Sequence, residues 1–283
     1  MIDGLSDKPA YVMVENQRAA KEGDSLPPVY YPGAFSRSEA KLVTFENGRS
    51  VDNVNITRRK DGGQAIAGTV RDEAGKGVPE AFVVVHPRDM YGGLATAYTD
   101  PEGHYQIQGL GVGEFLVHVD AVHRGLVRTR MPVRLDKTTK KTEFNFTLNR
   151  GVTISGKLVD ENGRDWKVDR NIAGRAIIGT GDRDGFCCTN VDFRNKYRPR
   201  NSDGMARGWL YLGKVEYPDG QMIFPTKSTF IVQGVKPGHT MLQVEYPRIA
   251  AKILHAGQNI LESGIDTEPG QEIKDITIVI ADQ

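Results

Sequence analysis

The chain repeats itself, and this repetition limits its possible folds more than any other feature of its 283 residues. Residues 65–75 return as residues 153–163, with identical amino acids where Gly68, Asp72, Glu73 and Gly75 fall, at an offset of 88 (156 − 68 = 88). Residues 105–119 return as residues 230–244, at an offset of 125 (230 − 105 = 125). Self-similarity of this kind indicates tandem copies of one structural unit.

Each copy is predicted to be built from short β-strands. Residues with two-residue periodicity or β-branched side chains recur between turn signals, whereas long stretches with helical spacing are nearly absent. This pattern is typical of antiparallel β-sandwiches, so the predicted fold class is all-β, a tandem array of antiparallel sandwiches. The predicted strands are 66–70, 82–85, 96–99, 105–108, 115–119, 142–148, 154–159, 230–233, 241–244 and 276–280.

The repeats divide the chain into three predicted modules. Residues 62–149 form the middle module, and residues 150–283 form a third module with a long insertion at about 164–229, since its matching blocks lie 37 residues further apart (125 − 88 = 37). Residues 1–60 match only the rear half of a module, because Gly4, Val12 and Val14 align with Gly109, Val117 and Val119. The first module is therefore expected to be incomplete, either because further residues precede it or because another arrangement completes it.

Composition excludes several classes of partner. The 37 basic and 36 acidic residues leave a formal net charge of +1, so no global field favours nucleic acid or an anionic membrane. A mean hydropathy of −0.43 and short apolar runs predict no transmembrane helix. The first residues lack the basic and then apolar pattern of a secretory signal. Cys187 and Cys188 are adjacent, and two reduced thiols are favoured over a strained vicinal disulfide.

The middle module carries a motif that resembles the carboxypeptidase regulatory-like domain. The pattern begins with Gly68, Val70, Asp72, Gly75 and Val78 and continues with the apolar run 81–85, then Thr99, Asp100, Gly103, Tyr105, Gly109, Leu110 and Gly113. The resemblance implies a transthyretin-like (prealbumin-like) sandwich with Ig-like Greek-key character, close to Cna-B-type and carbohydrate-binding-like folds. It also implies an accessory module of an exported bacterial protein, and hence an extracytoplasmic location.

No catalytic or metal site is predicted. None of the six histidines has a glutamate three residues later, as a metallocarboxypeptidase site requires, and nucleophile-elbow and phosphate-loop motifs are missing. We therefore expect no enzyme activity, no metal and no cofactor. Asp72 and Asp160 are interpreted as turn residues. Asp100 and Glu102 could ligate calcium or form an ordinary turn.

An isopeptide cross-link of the Cna-B type is also not expected. Lys157 lies in a predicted first strand, but the matching last strand offers no asparagine. Asn145 lies in the last strand of the middle module, where the first strand has Thr69 instead of lysine. The two reactive residue types therefore fall in different modules.

The insertion of the third module holds the candidate ligand-binding residues. Aromatic rings beside arginine can stack on sugars or contact an anionic polymer, but the same residues could also form a solvated loop. Trp166 follows the first-strand turn closely and is expected in the core. The candidates are Phe193, Tyr197, Arg198, Trp209, Tyr211 and Tyr217.

Three functions follow from these observations. The leading hypothesis is a non-catalytic, extracytoplasmic array that serves as structural spacer and interaction module of a larger exported protein. The alternatives are a carbohydrate-binding module that uses the aromatic residues of the insertion, and an accessory domain of a metallopeptidase. The expected partners are upstream domains of the same parent protein and a polysaccharide or a cell-envelope protein, without nucleic acid or membrane insertion.

Overall fold

A computed structural model describes residues 8–14, 28–45, 50–57, 63–88, 95–166, 177–181, 221–223, 228–245 and 250–281. The chain packs into two compact units. The first unit consists of Met1–Val119 and Thr129–Thr147, and the second consists of Asp120–Arg128 and Leu148–Gln283. The described residues form strands, turns and two short 3-10 helices, Arg37–Glu39 and Val122–Arg124. This confirms the predicted all-β fold class. The predicted module boundaries at 1–60, 62–149 and 150–283 stay predictions.

The first unit contains two small ribbons and two sheets. β1 pairs with β4 and β2 with β3; one sheet has the order β10-β9-β6-β7, and in the other β5 pairs with β8, β11 and β12. The strands are β1 (Ala10–Tyr11), β2 (Met13–Val14), β3 (Val29–Tyr30), β4 (Leu42–Val43), β5 (Gln64–Asp72), β6 (Phe82–Pro87), β7 (Ala95–Tyr98), β8 (His104–Leu110), β9 (Gly113–Asp120), β10 (Thr129–Leu135), β11 (Lys141–Glu143) and β12 (Phe146–Leu148).

The second unit contains two larger sheets. Their orders are β16-β13-β21-β18-β19 and β15-β14-β17-β20. The strands are β13 (Val152–Val159), β14 (Ile177–Gly181), β15 (Gln221–Ile223), β16 (Thr229–Val235), β17 (Gly238–Glu245), β18 (Ala250–His255), β19 (Gln258–Asn259), β20 (Ile265–Thr267) and β21 (Glu272–Ile280).

The middle and third modules share one topology, strand for strand. The order β8-β5-β11 corresponds to β16-β13-β21, and the order β10-β9-β6-β7 corresponds to β20-β17-β14-β15. β18 and β19 are additional, and they extend the third module's sheet beyond β21. The predicted insertion at 164–229 contains β14 and β15, which occupy the places of β6 and β7. The repetition in the sequence therefore encodes a repeated pair of sheets.

Alternation along the strands assigns the core as expected. Tyr105 and Ile107 are 4% and 0% exposed, whereas Gln106 and Gln108 face solvent. In β21, Ile276, Ile278 and Ile280 are buried, and Trp166 packs against the same core, as predicted. Removing each such apolar side chain from water contributes about 1.5–3 kcal/mol. This burial offsets the ordering of many short loops.

Close approach between strands explains the glycine shared by both repeats. A Cβ on Gly68 would overlap the carbonyl group of Phe144, and a Cβ on Gly156 would overlap the carbonyl group of Ile276. In both modules the first strand therefore comes within van der Waals contact of the last strand at a glycine. The pairing between first and last strands is parallel in both, β5 with β11 and β13 with β21.

The shared aspartates organise the turn after each first strand, as predicted. Asp72 Oδ1 accepts hydrogen bonds from the backbone N–H groups of Ala74 and Lys76, at 3.0 and 2.9 Å. Asp160 Oδ1 accepts the equivalent bonds from Asn162 and Arg164, at 2.9 and 2.8 Å. Aspartate favours turns because its carboxylate satisfies backbone donors that no strand partner reaches.

The predicted strand 142–148 is interrupted, and a side chain fills the gap. Backbone pairing of β11 stops at Glu143, and β12 begins at Phe146. Between them, Asn145 Oδ1 accepts a hydrogen bond from the backbone N–H of Thr69 at 2.8 Å. The hydroxyl of Tyr105 donates to the carbonyl oxygen of Phe144 at 2.6 Å. Asn145 thus faces Thr69 rather than a lysine, in line with the rejected isopeptide.

Ten of the described strands are not among those predicted from the sequence, namely β1 to β4, β10, β14, β15 and β18 to β20. β10 contains Pro132 and two arginines, and it is tolerated because it lies at the edge of its sheet. β1 to β4 and β19 have two residues each, and β15 and β20 have three, so these strands are too short to show alternation.

Apolar side chains of the first module lie at the surface. Val14 is 60% exposed and Leu42 is 50% exposed, whereas Val119, which aligns with Val14, is 0% exposed in the middle module. Tyr11, Met13 and Val51 are exposed as well. The hypothesis that this module lacks its front strands stays a prediction.

Replacement of the shared glycines should destabilise the modules. Gly68→Ala and Gly156→Ala each place a methyl group against a backbone carbonyl of the last strand, so we expect the free energy of unfolding to fall by about 1–3 kcal/mol. Urea unfolding of the full chain measures this loss. As a control, Gln106→Ala on the solvent side of β8 should change stability by less than about 0.5 kcal/mol. Unchanged stability of both glycine variants would contradict the close strand contact.

Candidate functional site

The predicted ligand residues do not fall within the described part of the chain. Phe193, Tyr197, Arg198, Trp209, Tyr211 and Tyr217 all lie between β14 and β15, outside the described residues. Cys187 and Cys188 lie outside them too. The proposed aromatic ligand site therefore stays a prediction, and the sites discussed next are those that the described side chains form.

A cleft of about 460 Å³ opens within the first unit. One wall is the loop from Phe35 to Ser38, and the other is formed by Arg88 and the turn from Leu110 to Phe115. Gly111 permits this approach, because a Cβ there would overlap the backbone of Phe35. Small-molecule sites commonly have volumes of about 300–1,000 Å³, so the cleft is large enough to hold a small ligand.

The cleft combines aromatic walls with a charged rim. Tyr30 and Phe115 are almost fully buried, and Phe35 is partly buried. At the rim, Arg88 Nη1 lies 3.2 Å from Glu114 Oε2, with both side chains more than half exposed. An exposed ion pair of this kind contributes little to stability and can exchange partners readily. Chemically, the cleft offers the partly exposed ring of Phe35 and both signs of charge, which suits a neutral polar ligand better than a strongly anionic one.

Sequence analysis did not find this cleft. Its walls lie some 50 to 80 positions apart in the chain, and only folding brings them together.

Two histidines that were considered as zinc ligands bind each other instead. His86 on β6 and His118 on β9 are 1% and 2% exposed, and their Nε2 atoms lie 2.7 Å apart. His86 Nδ1 lies 3.0 Å from the carbonyl oxygen of Pro87, which can only accept, so Nδ1–H is the donor there. With its proton on Nδ1, His86 has a free lone pair on Nε2. This atom accepts the hydrogen bond that the Nε2–H group of His118 donates. The pair is a buried hydrogen bond in which His118 donates and His86 accepts.

Burial sets the charge state of this pair. Burial lowers the pKa of His86 most, the Pro87 hydrogen bond raises it, and the positive charge of Arg130 lowers it further. Arg130 stands opposite His118 in the pairing of β9 with β10. A proton added to either ring would place a second positive charge beside Arg130 and away from water.

The cluster at Asp100, Glu102 and His104 is explained by its turn. Asp100 Oδ1 accepts from the backbone N–H groups of Glu102 and His104, and Oδ2 lies 3.1 Å from His104 Nδ1. Burial is the largest single influence on the pKa of Asp100 and raises it, but the hydrogen bonds and charge of His104 and the hydrogen bond from Glu102 together lower this pKa. These three side chains are close enough together to surround an ion, but both carboxylate oxygens of Asp100 already serve the turn. Their geometry therefore favours the turn interpretation over the calcium alternative.

The histidine pair predicts a pH-dependent stability. An unfolded histidine titrates near pH 6.5, whereas folded His86 titrates at lower pH. Below about pH 6.5 the unfolded chain therefore binds a proton that the folded chain does not, so the free energy of unfolding should fall as pH falls. The expected slope for this proton reaches about 1.4 kcal/mol per pH unit.

Urea unfolding between pH 7.5 and 5 measures the slope. His86→Gln should flatten it, because the amide oxygen of glutamine can accept from His118 without titrating. His255→Gln serves as the matched control, because it removes a histidine of the third module that takes no part in the buried pair, and it should leave the slope as in the wild type. Equal slopes in wild type and His86→Gln would refute the assignment.

Comparison with known proteins adds the following findings. The family model of the carboxypeptidase regulatory-like domain matches residues 65–149. A search of the curated proteins finds no match. No helix among the described residues is long and apolar enough to cross a membrane.

Similar solved structures share little sequence with the chain. A Streptococcal ancillary pilin is 12% identical with a TM-score of 0.31, over 99% of this chain and 76% of that chain. The Bacillus anthracis TIE protein is 9% identical with a TM-score of 0.29, over 91% of this chain and 41% of that one. A Klebsiella pneumoniae 5-hydroxyisourate hydrolase is 13% identical with a TM-score of 0.25, over 31% of this chain and 98% of that one. Likenesses this distant support no transfer of function.

The family match coincides with the segment that the sequence motif had singled out, and it spans β5 to β12 of the described fold. The recognition made from the sequence is confirmed for this segment. Residues 65–149 therefore match the carboxypeptidase regulatory-like domain family.

Proposed function

We propose that the chain is a non-catalytic, extracytoplasmic array of β-sandwich modules that serves as spacer and interaction module of a larger exported protein. The observation that carries the proposal is the strand-for-strand repetition of two sheets in the middle and third modules. Repetition of a self-contained unit lengthens a protein and adds surface without creating a new active site. The extracytoplasmic location rests on the family resemblance.

The polar groups of the described residues support a non-catalytic role. Catalysis needs titratable groups that meet a substrate in an accessible cleft. Here Asp72, Asp100 and Asp160 hold turns through their carboxylates, and the His86–His118 pair is sealed from solvent. These five groups therefore serve the structure of the modules. An accessory role beside a metallopeptidase domain is compatible with these contacts.

Carbohydrate binding is the second candidate, and the cleft favours it. Sugars are recognised by aromatic ring faces together with polar groups at their edges. Phe35, which is partly buried, supplies a ring, and Arg88 and Glu114 supply polar groups at the rim. The aromatic residues of the third module's insertion, from Phe193 to Tyr217, are a separate candidate for the same activity.

A thermal-shift and pull-down screen against bacterial and algal polysaccharides separates these functions. The spacer proposal predicts no change in Tm with any glycan from a well-folded sample. A specific shift that Trp209→Ala or Tyr197→Ala abolishes would locate a glycan site in the insertion, and one that Arg88→Ala abolishes would locate it in the cleft. Lys274→Ala, at an exposed position on β21 of the third module, is the matched control for surface charge. Either specific shift would replace the spacer proposal by carbohydrate binding.

A further inference from the structure

The first and last strands of each repeated module lie side by side and run in the same direction. In the third module, β13 and β21 pair in parallel from Thr153 opposite Glu272 to Val159 opposite Val279. In the middle module, β5 and β11 pair in parallel from Ala65 opposite Lys141 to Ala67 opposite Glu143, and β12 also pairs with β5. The chain therefore enters and leaves each module through two neighbouring strands.

This arrangement determines how a module responds to tension. A pull on the chain ends draws the start of the first strand and the end of the last strand in opposite directions along the strand axes. Because the strands are parallel, the hydrogen bonds between them lie across that force and share it. They must then break together, whereas strands pulled apart from one end break their bonds one after another. Loading in shear thus requires the larger force.

Further hydrogen bonds strengthen the ladder between the first and last strands. Thr153 N–H donates to the carbonyl oxygen of Gln271, and Ala65 N–H donates to that of Lys140, each at 2.9 Å. In the middle module, Asn145 and Tyr105 bridge the break between β11 and β12 with bonds of 2.8 and 2.6 Å. Burial raises the pKa of Tyr105, so its hydroxyl remains a donor at any ordinary pH. The side chains maintain the connection where the backbone ladder is interrupted.

We infer that these paired strands are shear clamps, which allow the chain to carry mechanical tension along its length. The inference deepens the proposed spacer function. It rests on that function in one respect, because the chain carries tension only if a larger protein holds both of its ends. The clamp itself is a property of the fold. No ligand and no covalent cross-link is required for it.

Single-molecule pulling of the full chain, held at both termini, tests the clamp. The middle module spans 85 residues from Gln64 to Leu148 (148 − 63 = 85), and the third spans 129 from Val152 to Ile280 (280 − 151 = 129). At about 3.5 Å per residue, unfolding should release about 300 and 450 Å of chain, so the two events are distinguishable. We expect each to require a force several-fold higher than the same strands do when they are unzipped.

The matched control changes only the point of attachment. In a Cys187→Ser, Cys188→Ser background, Asn162→Cys places one handle in the exposed turn just beyond β13, while the other stays at the carboxyl terminus. Because Val159 pairs with Val279, force now enters at one end of the β13–β21 ladder and unzips it. A third-module unfolding force that is equal in the two geometries would overturn the clamp.

A side-chain variant tests the middle module independently. Asn145→Ala removes the acceptor of the Thr69 N–H and should lower the unfolding force of the shorter event only. Thr147→Ala, an exposed neighbour on β12, should leave that force unchanged. An unchanged force in Asn145→Ala would show that the interrupted ladder bears no load. A cytoplasmic location of the native protein would instead refute the spacer proposal and leave the measured forces as they are.

Discussion

The pairing of the first strand with the last strand is the contact on which each module depends. It is parallel, it joins residues about 80 to 120 positions apart, and it is possible only because Gly68 and Gly156 leave room for a carbonyl group of the neighbouring strand. Contacts of such long range cost loop entropy before they contribute anything, so they form only when many apolar side chains are buried at once. The buried isoleucines of β21 and the buried Tyr105 and Ile107 of β8 supply that burial. The glycine is therefore required by the closure of the sandwich, which explains why it recurs in both copies.

Polar residues in these modules serve the same closure. The carboxylates of Asp72 and Asp160 turn the chain away from the first strand, and the amide of Asn145 replaces a missing backbone acceptor beside it. The hydrogen bond between His86 and His118 satisfies a nitrogen of each buried ring, at the cost of stability in acid. A module built in this way devotes its ionisable groups to structure.

The sequence was informative where the pattern is local. Alternation placed Tyr105, Ile107 and the isoleucines of β21 correctly, and residue type identified Asp72 and Asp160 as turn residues. It failed where tertiary context decides. The edge strand β10 was not predicted because it contains Pro132 and charged residues. A continuous strand was predicted over 142–148, but it is interrupted where Asn145 bonds to the backbone of Thr69. The cleft beside Arg88 and Gly111, and the contact between His86 and His118, join residues from distant parts of the chain, and no spacing rule brings such residues together. The aromatic residues from Phe193 to Tyr217 remain candidates on sequence grounds.

Hydrogen exchange monitored by mass spectrometry on the full chain tests the central claim most directly. If parallel pairing of first and last strands closes each module, backbone amides of β5, β13 and β21 should exchange only through unfolding of the whole module. Amides of the peripheral β18–β19 hairpin and of the β1–β4 ribbon should exchange much faster through local opening. Exchange from β13 and β21 at the rate of the β18–β19 hairpin would contradict the account, because the strands that close the sandwich would then open independently of its core.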